Sequence, residues 1–193
     1  MKEPIVLIGG GGHCKSCIDV IEAQNKYSIA GIVDKKSKKG EKILGYEIFA
    51  CDNDLPELAT RFRYFHITIG QIYSADLRLK IWNILSILDI ELPLIISPHA
   101  HVSPHAKIGK GSIIMHHALV NAGAEIGMNC IINSKALIEH DVKIGDFCHV
   151  STGAILNGGV TVGNRSFIGS GCVSKEYTIL PDGYFAKANT LIK

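Results

Sequence analysis

Residues 126–150 read IGMNCIINSKALIEHDVKIGDFCHV, with an aliphatic side chain at every sixth position: Ile126, Ile132, Ile138, Ile144 and Val150. The same period extends without a break from Val102 to Ile168, and a small or compact residue stands two positions before each repeat. An α-helix repeats about every 3.6 residues and a β-strand every two, so a period of six fits neither. It is typical of a parallel β-helix, in which each short strand stacks on the equivalent strand of the next coil.

A second period, of 18 residues, is marked by four glycines: Gly109, Gly127, Gly145 and Gly163. One coil therefore contains three hexapeptides, and its cross-section is a triangle. Residues 18 positions apart lie above one another, so the aliphatic and small residues fill the prism as a continuous core. The unbroken register predicts about four coils, followed by a cap or tail over the last twenty residues, where the repeat is lost.

The outward residue that precedes each aliphatic position differs between the three faces. One face carries Leu119, Leu137, Ile155 and Val173; the second carries Ile113, Ile131, His149 and Phe167; the third carries Lys107, Glu125, Lys143 and Thr161. Two faces are therefore predicted to expose apolar ladders, and the third to face water. Contiguous exposed apolar surface usually marks an interface, and two different apolar faces suit a closed ring. We expect a homotrimer.

The first part of the chain lacks this repeat and alternates between predicted strands and helices. Strands are expected at 5–8, 29–33, 46–49, 64–69 and 94–96; helices are expected from the glycines that follow the first strand to about residue 26, and at 53–60 and 74–88. Such alternation predicts a small, Rossmann-like α/β domain with a parallel sheet. We therefore expect two domains, an α/β domain over 1–96 and an all-β domain over 97–193.

The overall composition limits the classes of function. The formal charge is +2, which favours neither nucleic acid nor an anionic membrane as a partner. No signal peptide or membrane-spanning stretch is visible. Three of the six cysteines occupy small-residue positions of the predicted core, where cysteine packs as a compact hydrophobe: Cys130, Cys148 and Cys172. We expect a reduced, cytoplasmic protein.

A glycine-rich turn, Gly9-Gly10-Gly11-Gly12-His13, joins the first strand to the first helix. Glycines let the backbone approach a ligand and a helix N-terminus favours anions, so this turn predicts a nucleotide or nucleotide-sugar cradle. A purely structural turn is the alternative. Dinucleotide redox chemistry is disfavoured, because Cys14 stands at the third glycine position of that fingerprint. Asp34, which ends the second strand, would face the same crevice and bind a base or ribose, and the lysine-rich loop after it is interpreted as solvated.

Two further patterns invite a redox or metal interpretation. Cys14 and Cys17 have CxxC spacing, but a lone CxxC is a weak signal and helix residues three apart often share a packed face. Histidines are numerous, yet the adjacent pair His116 and His117, with His105 upstream, does not match the spacing that zinc demands. We expect packed cysteines and no metal site.

Glu139-His140-Asp141 is the strongest catalytic candidate. His140 stands at a corner position, where side chains project from the core, and the residues stacked on it, Ala122 and Gly158, are small. An imidazole with space around it and carboxylates on either side suits a general base, which a carboxylate would orient and make more basic. The alternative is a surface histidine beside surface acids. His149 is a second candidate, because a polar residue in an apolar ladder needs a partner or a ligand.

The segment from Leu137 to Gly163, which contains this motif, His149 and the pair Gly158-Gly159, resembles the left-handed β-helix sugar acetyltransferases of the PglD and NeuD type. This family includes bacterial nucleotide-sugar N-acetyltransferases and sialic acid O-acetyltransferases. The opening from Ile5 to His13 is similar to the family's N-terminal domain, so the resemblance covers nearly the whole chain. It implies left-handed coiling and a homotrimer, with acetyl-CoA, the acetyl donor, lying along the prism between subunits.

The resemblance also implies roles for individual residues. His140 is expected to be the base that deprotonates the sugar amine or hydroxyl, supported by Asp141, with Glu139 completing the motif. Contacts with acetyl-CoA are expected at His149, Gly158 and Ser170. The sugar-nucleotide pocket is expected at Gly11, Gly12, His13, Asp34, Lys35 and Gly70. Three departures stand out. Lys35 stands where the N-acetyltransferases tend to show an acidic or polar residue, a further coil found in several members is expected to be missing, and the tail over residues 184–189 lacks the usual Gly-x-Pro-Ala ending.

These expectations combine into one leading function and two alternatives. The leading function is acetyl-CoA-dependent acetylation of the amine of a nucleotide-linked amino sugar, for bacterial surface glycan synthesis. Within the same class, O-acetylation of a sialic-acid-like sugar is the alternative. From another class, the alternative is a non-catalytic assembly protein that binds sugar nucleotides, and the intact Glu139-His140-Asp141 motif and His149 argue against it.

Overall fold

The computed structural model describes residues 2–193, which divide into two compact units. An α/β unit contains the residues up to Gly70 together with Asp76–Pro93. A β-helical unit contains Leu94–Lys193 together with Gln71–Ala75. The short segment Gln71–Ala75 therefore belongs by its contacts to the β-helical unit, although it lies in sequence between two elements of the α/β unit.

Strands and helices alternate through the α/β unit. They are β1 (Glu3–Ile8), α1 (Gly12–Gln24), β2 (Tyr27–Val33), β3 (Lys42–Ile43), β4 (Tyr46–Ala50), α2 (Leu55–Ala59), β5 (Tyr64–Ile67) and α3 (Asp76–Ser86), with 3₁₀ turns at Lys36–Lys38 and Asp52–Asp54. The sheet order is β3-β4-β2-β1-β5, and every neighbouring pair is parallel except the edge pair β3 and β4. The predicted α/β class with a parallel sheet is confirmed.

The hydrophobic pattern explains the first strand and helix. Four successive residues of β1, from Ile5 to Ile8, are buried, as expected for an interior strand of a parallel sheet. One face of α1 buries Cys14, Cys17, Ile18, Val20 and Ile21. The helix ends at Gln24 because Asn25 adopts a left-handed conformation, with φ 59°, and its N–H caps the carbonyls of Ile21 and Glu22.

Arg78 and His66 are ionisable side chains that lie in the core of the α/β unit. The guanidinium of Arg78, 1% exposed, donates to the carbonyls of Ile69 at 2.5 Å and Ile67 at 3.3 Å, at the carboxyl end of β5. His66 is fully buried. Burial, and secondly the charge of Arg78, lower the pKa of His66 to about 3, against a smaller opposing effect of the Pro93 carbonyl. His66 is therefore neutral in the folded chain near neutral pH.

The β-helical unit consists of two-residue strands stacked into three parallel sheets. The His149 sheet contains Ile95–Ile96, Ile113–Ile114, Ile131–Ile132, His149–Val150, Phe167–Ile168 and Phe185–Ala186. The Leu137 sheet contains His101–Val102, Leu119–Val120, Leu137–Ile138, Ile155–Leu156, Val173–Ser174 and Leu191–Ile192. The charged sheet contains Lys107–Ile108, Glu125–Ile126, Lys143–Ile144, Thr161–Val162 and Ile179–Leu180. Every paired strand is in register with the residue 18 positions away, so the predicted triangular coil is confirmed.

The glycines of the 18-residue period are required by close contact between coils. A Cβ atom on Gly109 would lie 2.6 Å from the backbone of Gly127, and one on Gly163 would lie 2.4 Å from the backbone of Asp182. Gly127 and Gly145 are equally crowded by the backbone and side chains of the next coil. These corners therefore have no room for any side chain.

The repeat does not end where the sequence suggests. Strands at Ile179–Leu180, Phe185–Ala186 and Leu191–Ile192 continue the three sheets, and the inward residues Ser174, Leu180, Ala186 and Ile192 are buried. Sheets of six, five and six strands correspond to between five and six coils. The expectation of about four coils with a missing coil and a tail is wrong, because serine and alanine replace the aliphatic residue at Ser174 and Ala186 and hide the period.

The boundary strand also differs from expectation. Ile95–Ile96 pairs with Ile113–Ile114 in the His149 sheet, so it begins the β-helix and is not the last strand of the α/β sheet. The residue that follows it is bonded to the same coil, since the backbone N–H of Ser97 donates to the carbonyl of Ile114 at 2.9 Å. The aliphatic pattern over 94–96 fits either role, because a strand at the end of the α/β sheet and a first strand of the β-helix would both be buried.

The three faces are only partly as predicted. The charged sheet is open to solvent at Lys107, Glu125 and Lys143, and the outward residues of the Leu137 sheet are half-buried from Leu119 to Val173. The outward residues of the His149 sheet, however, are mostly buried within the chain: Ile113, Ile131 and His149 are 1%, 0% and 7% exposed. The prediction of two exposed apolar ladders is wrong for this face; at its His149 and Phe185 positions the segment Gln71–Ala75 packs on it. Over residues 2–193, none of the helices has the length and hydrophobicity needed to cross a membrane.

Candidate active site

The imidazole of His140 lies at the corner that follows the strand Leu137–Ile138, with 55% of its side chain exposed. Its Nδ1 donates a hydrogen bond to Oδ2 of Asp141 at 2.9 Å. A carboxylate can only accept hydrogen bonds, so this contact fixes the proton on Nδ1 and leaves Nε2 as the basic atom. Asp141 reaches this position from a left-handed backbone conformation, with φ 60°.

The next coil provides space for the His140 ring. A Cβ atom on Gly158 would lie 2.7 Å from both Cε1 and Nε2 of His140. In the previous coil, a Cβ on Gly123 would lie 2.5 Å from Oδ1 of Asp141. Both members of the pair therefore sit against glycine. The predicted open space beside His140 is present, and the missing side chain of Gly158 creates it.

Glu139, the third member of the motif, has a different partner. Its Oε2 accepts a hydrogen bond from Nδ2 of Asn121, one coil away, at 2.8 Å. Asn121 in turn accepts from the backbone of Ala122, the residue that stacks on His140 from the other side. The structure thus brings Asp141, and not Glu139, to the imidazole. The sequence analysis misses Asn121, although its spacing of 18 from Glu139 is a usable signal.

Tyr177 is another neighbour that the sequence does not indicate. Its ring lies across Gly159, where a Cβ would be 2.4 Å from Cδ1 and 2.5 Å from Cε1. The side chain is 74% exposed and its residue has φ 56°. His140 and Tyr177 therefore cover two adjacent glycines, Gly158 and Gly159, from neighbouring corner positions.

His149 is buried and fully engaged within the chain. Its Nδ1 donates to the carbonyl of Gln71 at 2.5 Å, and its Nε2 accepts from Nδ2 of Asn133 at 3.1 Å. The Gln71 side chain also donates to the carbonyl of Phe147 at 2.8 Å. The expectation that a polar residue in this ladder needs a partner is met by these contacts, and the sequence analysis misses both Gln71 and Asn133.

The residues expected to contact acetyl-CoA do not meet in one chain. His149 lies in the His149 sheet, whereas Gly158 follows the Leu137 sheet at the His140 corner. Ser170 follows Phe167–Ile168 at the corner after the His149 sheet, is exposed, and shares a hydrogen bond of 2.9 Å with Ser151. The role of these residues stays a prediction.

The α/β unit contains a separate cavity of about 220 Å³ at the carboxyl ends of its strands. It is lined by Ile8, Gly9, Gly10, Gly11, Val33, Asp34, Lys35, Lys38, Asp52, Ile69, Gly70, Leu77 and Ile81. Four of the residues expected in a sugar-nucleotide pocket are among them: Gly11, Asp34, Lys35 and Gly70. The other two, Gly12 and His13, begin α1 immediately after Gly11, and the Cβ of His13 packs against Gly70.

The first glycines of the turn are required by close packing. A Cβ on Gly9, whose φ is 106°, would lie 2.4 Å from the Ile69 side chain, and one on Gly10 would lie 2.9 Å from Oδ2 of Asp34. A Cβ on Gly11 or Gly12 would instead point into open space, with no neighbouring atom within 4 Å. Gly9 and Gly10 are therefore required because a side chain there would collide with its neighbours, whereas the absence of side chains at Gly11 and Gly12 keeps the backbone next to the cavity accessible.

Asp34 holds this edge of the sheet together. Its Oδ2 accepts from the Gly10 N–H at 2.7 Å and from Nζ of Lys38 at 3.2 Å, and its Oδ1 accepts from the Lys35 N–H at 2.6 Å. Burial alone would raise the pKa of Asp34, but the hydrogen bonds from Lys35, Gly10 and Lys38 outweigh it and lower the pKa. The sequence analysis places Lys38 in a solvated loop; in the structure it lines the cavity and pairs with Asp34.

The cysteine and histidine patterns do not form a second site. Cys14 and Cys17 are buried free thiols, as packing predicts, and burial raises the pKa of each. His99, His116 and His117 contact one another through their rings at centroid distances of 5.5 to 6.5 Å. Among residues 2–193, no group of three or more His, Cys, Asp or Glu side chains is arranged to hold a metal ion.

Comparison with known proteins gives two family matches. Residues 4–90 match the PglD N-terminal domain, and residues 105–140 match the bacterial transferase hexapeptide of six repeats. No curated protein matches the chain significantly. The family matches cover the glycine-rich cavity and the first half of the β-helix, including Glu139 and His140.

Solved structures resemble the whole chain. The acetyltransferase domain of PglB from Neisseria gonorrhoeae, in complex with acetyl coenzyme A, is 30% identical, with a TM-score of 0.88, and the match covers 100% of this chain and 93% of that one. Perosamine N-acetyltransferase from Caulobacter crescentus, in complex with CoA and GDP-perosamine, is 30% identical, with a TM-score of 0.80, and the match covers 98% of this chain and 91% of that one.

Fold and site together define an acyltransferase of the hexapeptide-repeat class, in which a left-handed β-helix follows an α/β domain along the chain. The exposed His140 imidazole beside Gly158 and the separate cavity of the α/β unit are compatible with an enzyme that binds two substrates. The chain belongs to the left-handed β-helix sugar acetyltransferases of the PglD type.

Proposed function

We propose that this protein transfers the acetyl group of acetyl-CoA to the amine of a nucleotide-linked amino sugar, in the cytoplasm and for surface glycan synthesis. The observation that carries the proposal is the His140–Asp141 pair, whose ring rests over Gly158 with Nε2 available as a base. Support also comes from the two relatives, one solved with acetyl coenzyme A and the other with CoA and GDP-perosamine.

The reaction requires one base, which carries a single proton from the amine to the leaving thiolate. The neutral amine attacks the thioester carbon, so a C–N bond forms as the C–S bond breaks. The amine loses one proton to Nε2 of His140, and the same proton passes to the departing thiolate. The products are an amide and the free thiol of CoA, and the enzyme returns to its starting state.

Asp141 supports the base through geometry and charge. Its hydrogen bond to Nδ1 selects the tautomer whose Nε2 can accept the proton, and its negative charge stabilises the imidazolium that forms. Gly123 permits the carboxylate to lie there, since a side chain at that position would collide with Oδ1. Glu139 pairs with Asn121 and not with the imidazole, so it is given no direct part in the proton transfer.

The nucleotide part of the acceptor is assigned to the 220 Å³ cavity of the α/β unit. The exposed glycines Gly11 and Gly12 open α1, whose first N–H groups favour phosphate. Asp34 shapes the turn by holding Gly10, and Lys35 and Lys38 supply positive charge at the rim.

The acetyl donor is assigned to a groove between copies of the chain in a homotrimer. His149 and Ser170 lie at a different edge of the prism from Gly158, so one chain alone does not bring the three together. A closed ring lets the His140 corner of one subunit face the His149 edge of the next. The half-buried ladder from Leu119 to Val173 supplies apolar surface for that contact.

The direct test is release of CoA thiol from acetyl-CoA in the presence of a panel of amino-sugar nucleotides. We expect turnover with the wild-type chain and loss of turnover with His140→Ala. Lys143→Ala, which removes an exposed side chain of the charged sheet and lies outside the proposed subunit contact, is the control and should keep full activity. Turnover only with hydroxyl acceptors would reassign the enzyme to O-acetylation, and no turnover with any acceptor would contradict the proposal.

A further inference from the structure

Three loops meet at one edge of the α/β sheet. The glycine turn follows β1, Asp34 follows β2, and Cys51 and Asp52 follow β4. Because β1, β2 and β4 are parallel neighbours, their carboxyl ends lie side by side in the order β1, β2, β4. Ligands of open parallel sheets bind in the crevice outside these ends.

A second cavity extends the first along this edge. It is an open depression of about 250 Å³ lined by Lys35, Lys36, Cys51, Asp52 and Asn53. Lys35 and Asp52 line both cavities, so the two adjoin. A nucleotide whose phosphates lay at the start of α1 and that extended past Asp34 along this edge would place its base in this second cavity.

Asp34 has little capacity left to recognise that base. Its two carboxylate oxygens already accept from Gly10, Lys35 and Lys38. The side chain of Asp52 is half-buried and, within the described part of the chain, makes no hydrogen bond or ion pair. The carboxylate that faces the base cavity with free acceptor capacity is therefore that of Asp52, which sequence reasoning does not single out.

We propose that Asp52 reads the base of the nucleotide and selects guanine. A carboxylate offers two acceptor oxygens and no donor. Guanine is the common base with two adjacent donors on one edge, N1–H and the exocyclic N2 amine, so it pairs with a carboxylate through two parallel hydrogen bonds. Its neighbouring O6 is an acceptor, which suits the ammonium groups of Lys35 or Lys36 at the same cavity.

The other bases fit this arrangement less well. Uracil and thymine offer a single N3–H flanked by two carbonyl oxygens, which repel a carboxylate. Adenine and cytosine offer an amine beside an unprotonated ring nitrogen, so one carboxylate oxygen would face a lone pair. A correct bidentate pair discriminates by about tenfold to a hundredfold. The inference deepens the proposed function, on which it rests, by naming a guanosine diphosphate sugar as the acceptor.

The test is calorimetric titration of the full chain with GDP, UDP, ADP and xanthosine diphosphate. We expect wild type to bind GDP at least tenfold more tightly than the other three. Asp52→Asn should weaken the binding of GDP by at least tenfold and strengthen the binding of xanthosine diphosphate. Xanthine carries a carbonyl at the position where guanine carries the N2 amine, and that carbonyl can accept a hydrogen bond from the amide N–H₂ of asparagine. Glu47→Gln, which neutralises an exposed carboxylate on β4 outside both cavities, is the matched control and should change neither affinity.

The outcomes separate this inference from the function on which it rests. The guanine assignment would be overturned if GDP and UDP bound equally well, if UDP bound more tightly, or if Asp52→Asn kept the preference of the wild type. None of these results would contradict the proposed sugar-nucleotide acetyltransferase. Failure of every nucleoside diphosphate to bind would contradict the nucleotide cavity, and with it the proposed acceptor. The gain of xanthosine diphosphate binding is a result that a merely structural role of Asp52 would not produce.

Discussion

Replacing Gly158 with alanine tests whether the placement of His140 controls the reaction. The added methyl would lie 2.7 Å from Cε1 and Nε2 of the imidazole, whereas ordinary contacts begin at 3.4 Å. The ring must therefore move by about 0.7 Å, since the backbone of Gly158 belongs to a stacked coil and cannot yield easily. Displacement of a catalytic group by about 1 Å costs on the order of 10²-fold in rate.

We expect Gly158→Ala to lower kcat by about 10- to 100-fold, equivalent to about 1.4 to 2.7 kcal/mol in activation free energy. The φ of Gly158 lies outside the left-handed region, so alanine introduces no backbone strain and the thermal midpoint should change little. The assay is thiol release at saturating acetyl-CoA and sugar nucleotide, with the KM of acetyl-CoA measured in parallel.

A double-mutant cycle separates an effect on the ring from an effect on the groove. In a His140→Ala background the methyl has no imidazole to displace, so Gly158→Ala should cost little further activity. An equal loss of about 100-fold in both backgrounds would contradict a role through His140 and would show that the methyl acts on the acetyl-CoA groove alone. Wild-type kcat in the single variant would show that the position of the ring is not critical.

The catalytic pair, the buried histidine and the trimer each give a further test. His140→Ala should lower kcat by about 10²- to 10⁴-fold, with acetyl-CoA affinity unchanged by titration, and Asp141→Asn should cost less because it removes only orientation and charge. His66 remains neutral down to about pH 3 in the fold but binds a proton below about 6.5 when unfolded, so the free energy of unfolding should fall as pH drops through this window. The contribution of His66 to this slope should be at most about 1.4 kcal/mol per pH unit, and His66→Leu should lower the slope by that contribution in denaturant titrations at several pH values; an unchanged slope would contradict the assignment. Leu137→Glu should convert a sedimenting trimer into smaller species because it buries charge in the ring contact, whereas Lys143→Glu on the charged sheet should not, and a wild-type monomer at micromolar concentration would rule out the trimer.

The fold was predictable where the sequence is periodic, because a repeat fixes both local structure and stacking. The period of six and the glycines from Gly109 to Gly163 predicted the three sheets, their register and the triangular coil. The last coils are hidden in the sequence because Ser174 and Ala186 are small residues at inward positions, and the core tolerates them there. Ile95–Ile96 was assigned to the wrong sheet because a short aliphatic run fits the interior of either unit.

The sequence predicted the individual residues of the candidate site better than it predicted their contacts with other residues. The space beside His140 followed from stacking, since Gly158 stands 18 positions later. The partners of His149 could not be foreseen, because Gln71 reaches it from a segment 78 positions away in sequence. The pairing of Lys38 with Asp34 likewise depends on a short 3₁₀ turn, Lys36–Lys38, that charge patterning alone does not reveal.

Transfer of the acetyl group to an amine, with His140 as the base, can be tested by detecting the acetyl group on the acceptor. The measurement is mass spectrometry of the acceptor after incubation of the full chain with isotopically labelled acetyl-CoA, followed by mild alkaline treatment. We predict one labelled acetyl group per sugar nucleotide, retained after alkali because amides resist the treatment that removes esters. In the same reaction time His140→Ala should incorporate at least about 100-fold less label. A label lost on alkaline treatment would contradict transfer to an amine, and full labelling with His140→Ala would contradict the assignment of the base.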